Sequence, residues 1–106
     1  MRDWLSHRIL VVLFERRRGG TISKAGCKEV RESVKRGQLG DAIEYLEREA
    51  VAGEAPPSEW LETPLRTAVE DWEQEGELTE SAARKVRAHL DAGEWRAAVE
   101  AVLDAA

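Results

Sequence analysis

An all-α fold, built as two tandem three-helix repeats, is what this 106-residue sequence predicts. Three observations lead there. The chain matches itself at an offset of 56 residues, apolar side chains recur at helical spacing in six segments, and no stretch alternates with period two for long enough to argue for a strand. Sliding residues 1–50 onto 57–106 needs no gap and gives nine identities: Trp4/Trp60, Leu5/Leu61, Gly20/Gly76, Val30/Val86, Arg31/Arg87, Gly37/Gly93, Ala42/Ala98, Glu44/Glu100 and Ala50/Ala106. Unrelated sequences would share roughly three or four, given ordinary residue usage. The expected organisation is an N-terminal repeat over 1–50, a linker over 51–56 and a C-terminal repeat over 57–106. Half of this chain is too short to bury a comfortable core alone, so the two repeats are expected to share one, related by a pseudo-twofold or by screw-like stacking.

The first helix is expected from about Asp3 to Arg18, and its counterpart from Ser58 to Glu75. Leu5, Ile9, Val12 and Leu13 mark one stripe, and Leu61, Leu65, Ala68, Val69 and Trp72 the other. Ser58 is the candidate N-cap of the second copy, with Glu59 complementing the helix dipole. Pro64 removes a backbone donor in that first turn, which implies a kink or a start nearer Thr63. Gly20 and Gly76 end these helices, because glycine accepts the left-handed conformation of a C-terminal cap.

Ser23 and Thr79 cap the next two helices, with Ile22 and Leu78 placed to fold back on Cys27 and Ala83. Gly37 and Gly93 end them. The third helix of each unit carries an apolar stripe at 39, 42, 43, 46 and 50, and at 95, 98, 99, 102 and 106; small Ala42 and Ala98 allow a close helix approach. Pro56-Pro57 stops the chain from continuing helically through the linker. The stretch Arg36-Gly-Gln-Leu-Gly-Asp-Ala-Ile-Glu-Tyr-Leu-Glu resembles the start of a tetratricopeptide-repeat second helix over about a dozen residues. With a period of 56, it reads as a tight helical hairpin, and no family is assigned.

The lone cysteine, Cys27, has no internal partner and sits at an apolar repeat position. It is expected as a small core side chain in a reducing, cytoplasmic compartment. Arginine outnumbers lysine and alanine is frequent, as in a prokaryotic protein. The apolar run Ile9–Phe14 is too short for a signal-peptide core or a bilayer span, so a membrane partner is not expected. No catalytic constellation, phosphate loop or metal-ligand spacing occurs, and the expectation is a non-enzyme without cofactor or metal.

Contrast between the halves singles out the candidate binding residues. Leu10, Val11 and Phe14 correspond to polar Arg66, Thr67 and Glu70. Either the first helix is buried on nearly all sides, or these three form an exposed patch that docks a partner or a second copy. Lys24, Lys28, Arg31 and Lys35 fall at i, i+4, i+7 and i+11, one stripe along the second helix, with Arg16, Arg17 and Arg18 near its start. The corresponding stripe of the other half is Glu80, Arg84, Arg87 and Asp91. Residues 1–56 carry 11 Lys/Arg against 9 Asp/Glu, and residues 57–106 carry 5 against 12. Such asymmetry favours a charged partner or self-association. Arg31 with Glu44, and Arg87 with Glu100, are expected to form one inter-helix ion pair in each half.

The expected activity is a non-catalytic helical interaction or adaptor module that self-associates, with Leu10, Val11 and Phe14 in apolar contact and Arg16, Arg17, Arg18, Lys24, Lys28 and Lys35 facing an acidic partner. The alternative is a small regulatory protein that binds nucleic acid through the basic stripe. Trp4, Trp60, Gly20, Gly76, Gly37, Gly93, Arg31, Arg87, Glu44 and Glu100 are assigned to structure.

Overall fold

A computed structural model of the chain describes residues 1–105. Ala106, placed above at the end of an apolar stripe, lies outside them. Six α-helices and no strand occur among the described residues: α1 Arg2–Arg18, α2 Lys24–Lys35, α3 Leu39–Arg48, α4 Thr63–Gln74, α5 Glu80–Asp91 and α6 Trp95–Ala105. A π-helical turn, Ser58–Glu62, runs directly into α4. The helices of the second half start 56 positions after those of the first, if the π-turn is counted with α4.

The helix ends follow from local chemistry. The Ser23 hydroxyl accepts from the Gly26 N–H at 3.0 Å, and the Thr79 hydroxyl from the Ala82 N–H at 3.1 Å. Gly20, Gly37, Gly76 and Gly93 all take positive φ, between 71° and 79°. Each closes the same paired cap: the Thr21 N–H bonds the Arg16 carbonyl and the Gly20 N–H the Arg17 carbonyl, and the other three glycines repeat the pattern. Ala50 is an exception to the expected stripe, because α3 stops at Arg48 and leaves it exposed.

Ser58 does not act as a cap; it begins the π-turn. The cause is Pro64. In a regular α-helix its ring would crowd the Trp60 carbonyl four residues back and leave that oxygen without a donor. The wider turn relieves the crowding, and Arg8 from α1 donates its Nε–H to the Trp60 oxygen at 2.6 Å. The defect in one half is thus repaired by a cation from the other.

One apolar cluster takes side chains from both halves, including Leu5, Ile9, Leu13, Ile43 and Leu46 with Leu61, Leu65, Val69, Val86 and Val99. Cys27 is buried and free, and Trp72 is buried with its ring edge-on to Trp4, centroids 5.6 Å apart. The two third helices, α3 and α6, pack on each other. Gly40 permits this: a Cβ there would lie 3.0 Å from Glu100 Oε1 and 3.1 Å from Arg96 Cγ.

The expected ion pairs Arg31–Glu44 and Arg87–Glu100 do not form. Arg96 lies across the α3–α6 seam beside Gly40 and gathers both glutamates, with Glu100 at 3.0 Å, Asp41 at 2.7 Å and Glu44 in direct contact. Its guanidinium is raised above its usual range, first by the hydrogen bond to Glu44 and then by that to Glu100. Arg87 pairs instead with Glu73 of α4 at 2.9 Å. Asp41 and Glu44 of α3 thus pair across the seam with Arg96 of α6, and Glu100 joins them from α6 itself, one turn on; among the described residues neither glutamate pairs with α2 or α5.

Candidate functional site

Helices α1 and α2 pack as neighbours, joined by the Gly19–Ser23 turn. Along α2, with the end of α1 at one side, runs an open groove of about 780 Å³. Arg17 enters from α1, and Ala25, Cys27, Lys24, Lys28, Arg31 and Lys35 from α2, with Glu32 the one acid. The i, i+4, i+7, i+11 stripe therefore lines a single trough about 16 Å long, at 1.5 Å rise per residue. Of the predicted basic residues, Arg17, Lys24, Lys28 and Lys35 converge here. Arg31, assigned above to structure, belongs with them. Arg18 is exposed but outside the lining.

Arg16 does not belong to this surface. It is 7% exposed, turned inward at the α1 C-terminus, where it donates to the Leu46 carbonyl at 2.6 Å and pairs with Glu54 of the linker. Burial pushes its guanidinium below the usual value, against the opposing pull of Glu54. Its counterpart Trp72 is a buried aromatic, so the two positions share burial and not chemistry. The apolar triad is divided as well. Leu10 is half-buried against the core, Val11 is half-buried, and Phe14 stands 53% exposed, a turn before Arg17 on the same face of α1.

The electrostatics of the two halves differ in a specific way. In the second half the arginines 56 positions after Lys28 and Arg31 are paired: Arg84 with Glu80 at 3.1 Å, and Arg87 with Glu73 at 2.9 Å. Asp91 meets Arg66 at 2.5 Å, and Arg66 also holds Glu62. These contacts raise Arg66 above its usual range, the Glu62 hydrogen bond first. In the first half, Glu73, Glu80 and Asp91 correspond to Arg17, Lys24 and Lys35. Lys28 and Arg31 thus have basic residues at the positions where Arg84 and Arg87 have their acids. Among the described residues, none of Arg17, Lys24, Lys28, Arg31 and Lys35 has an ion-pair partner. Glu32 pairs only loosely, at 3.9 Å, with Arg36.

Five free cations along one trough raise each other's electrostatic energy, and an incoming anion relieves it. The lining includes apolar Ala25 and Cys27, so aliphatic stems can lie along it while the charged heads reach outward. No group of three or more metal-ligating side chains occurs among the described residues, and no described helix is long and apolar enough to cross a membrane. No protein-family model, curated protein or solved structure matches the chain.

The sequence reading missed two features of this site. Arg31 is on the stripe by spacing, but its identity with Arg87 assigned it to a structural pair; the replacement of Glu73, Glu80 and Asp91 by Arg17, Lys24 and Lys35 was the available signal. Arg16 was grouped with Arg17 and Arg18 by adjacency, although its spacing from Leu5, Ile9 and Leu13 places it on the buried stripe.

Proposed function

We propose that this domain is a non-catalytic protein-interaction module that receives an acidic surface of a protein partner in the α1–α2 groove. One observation carries the reading: cations that are paired in the second half have unpaired, all-basic counterparts in the first. An arrangement that pays self-repulsion without an internal counter-ion is explained by a ligand that supplies the acids. Phe14 beside the groove adds apolar contact. With about half of its surface exposed, covering it is worth roughly 1–1.5 kcal/mol, so charge directs the contact and Phe14 supplements it.

The same reading treats the two halves as copies of one three-helix unit, the second keeping its internal ion pairs and the first exchanging them for a binding trough. Matching helix starts and four matching glycine caps support it. The buried, unpaired Cys27 fits a reducing, cytoplasmic setting.

The test is fluorescence anisotropy with a labelled Glu-rich helical peptide of the length of α2, beside a labelled DNA duplex. The peptide is expected to bind at low salt and to be lost with Lys28→Glu/Arg31→Glu. A wild-type chain that ignores the peptide overturns the proposal. Preferential binding of the duplex with a steep salt dependence hands the groove to nucleic acid instead.

A further inference from the structure

We infer that the acidic surface received by the α1–α2 groove is the α4 face of a second copy of this chain, so that molecules associate head to tail. The inference rests on the groove reading above and names its partner. Helix α4 and the turn after it present Glu70, Asp71, Glu75 and Glu77, all exposed. None of these four has a cationic partner among the described residues. Asp71 and Glu75, one turn apart on this helix, and the free bases on α2 leave two complementary, uncompensated stripes on one molecule.

The shapes agree with the charges. Asp71 and Glu75 rim a second groove of about 430 Å³, whose wall includes Trp4, Trp72 and Ala68. They are spaced i, i+4, as are Lys24 and Lys28 on α2, so both pairs repeat at about 6 Å. A lysine stem laid along the tryptophan surface brings its ammonium to the carboxylates, with the indole faces adding attraction for the cation. The two grooves share no lining residue. Each copy therefore offers both a donor and an acceptor face. A twofold dimer in which a groove faces its own copy across the axis would set like charges together. A heterologous contact alternates them, and it propagates into a chain or closes into a ring.

Sedimentation velocity of the intact chain at about 25 mM and about 500 mM salt tests this, since the Debye length falls from about 20 Å to about 4 Å between them. At low salt the weight-average mass is expected to rise with concentration beyond a dimer, and at high salt to return to the monomer. Lys24→Glu/Lys28→Glu and Asp71→Lys/Glu75→Lys should each weaken self-association about tenfold or more, with unchanged far-UV circular dichroism. An equimolar mixture of the two variants should associate again, because each retains the face that fits the other. A chain that is monomeric at low salt, an assembly insensitive to both variants, or a mixture that fails to reassociate overturns the inference. If the chain stays monomeric but still binds the Glu-rich peptide, only the choice of partner is wrong. If it does neither, the groove reading falls with it.

Discussion

Glu54→Gln isolates the cost of a buried cation in this fold. Arg16 is 7% exposed, Glu54 11%, and the guanidinium also holds the Leu46 carbonyl. Burial lowers the Arg16 guanidinium despite the neighbouring carboxylate, so desolvation already outweighs the attraction of Glu54. Removing the negative charge leaves a buried cation facing only neutral acceptors, the Leu46 carbonyl and the Gln amide oxygen. Breaking such a pair costs about 3–5 kcal/mol when neither group can escape; the linker lets part of the site reopen to water, and about 2–3 kcal/mol is the expected loss. Adding Arg16→Met removes the stranded charge and fills similar volume. The double variant then forfeits mainly the bond to the Leu46 carbonyl, about 1 kcal/mol. Urea unfolding followed by circular dichroism reads both values, with the single variant's midpoint expected to fall by about 1–2 M. The double variant should be more stable than Glu54→Gln alone. A double variant whose loss equals or exceeds the sum of the two single losses would refute the desolvation argument.

Two further outcomes follow from the turns. In Pro64→Ala the Trp60 carbonyl regains its own donor, so Arg8→Ala should cost about 1 kcal/mol less in that background than in the wild type; an additive double-mutant cycle in urea would count against the repair role of Arg8. Gly20→Ala and Gly76→Ala meet no atom within 4 Å and carry only the left-handed backbone penalty. Each should lose about 1–2 kcal/mol, with near-equal thermal shifts; unequal losses would mean that the two caps are not energetically alike.

Much of the helical layout was legible because its signals are local. Ser23 and Thr79 each bond an amide three residues on, and the four glycines turn the chain through a conformation other residues resist. The buried stripes of Leu5, Ile9, Val12 and Leu13, and of Leu61, Leu65 and Val69, follow from the 3.6-residue period. The groove was half-legible: periodicity put Lys24, Lys28, Arg31 and Lys35 on one face, but only the packing of α1 on α2 brings Arg17 to it. The π-turn was legible as trouble at Pro64 and not as its remedy, because the repairing Arg8 lies 52 residues away.

What the chain's order of residues determined alone was where helices start, stop and turn an apolar side inward, since caps, glycine turns and periodicity act within a few residues. Only the tertiary structure decided which charges meet. Glu44 pairs with Arg96 because α3 and α6 face each other across Gly40, and Arg16 is buried because the linker and the end of α3 close over it. An ion pair spans a few ångströms between elements, so its partner is set by helix placement and not by spacing along the chain.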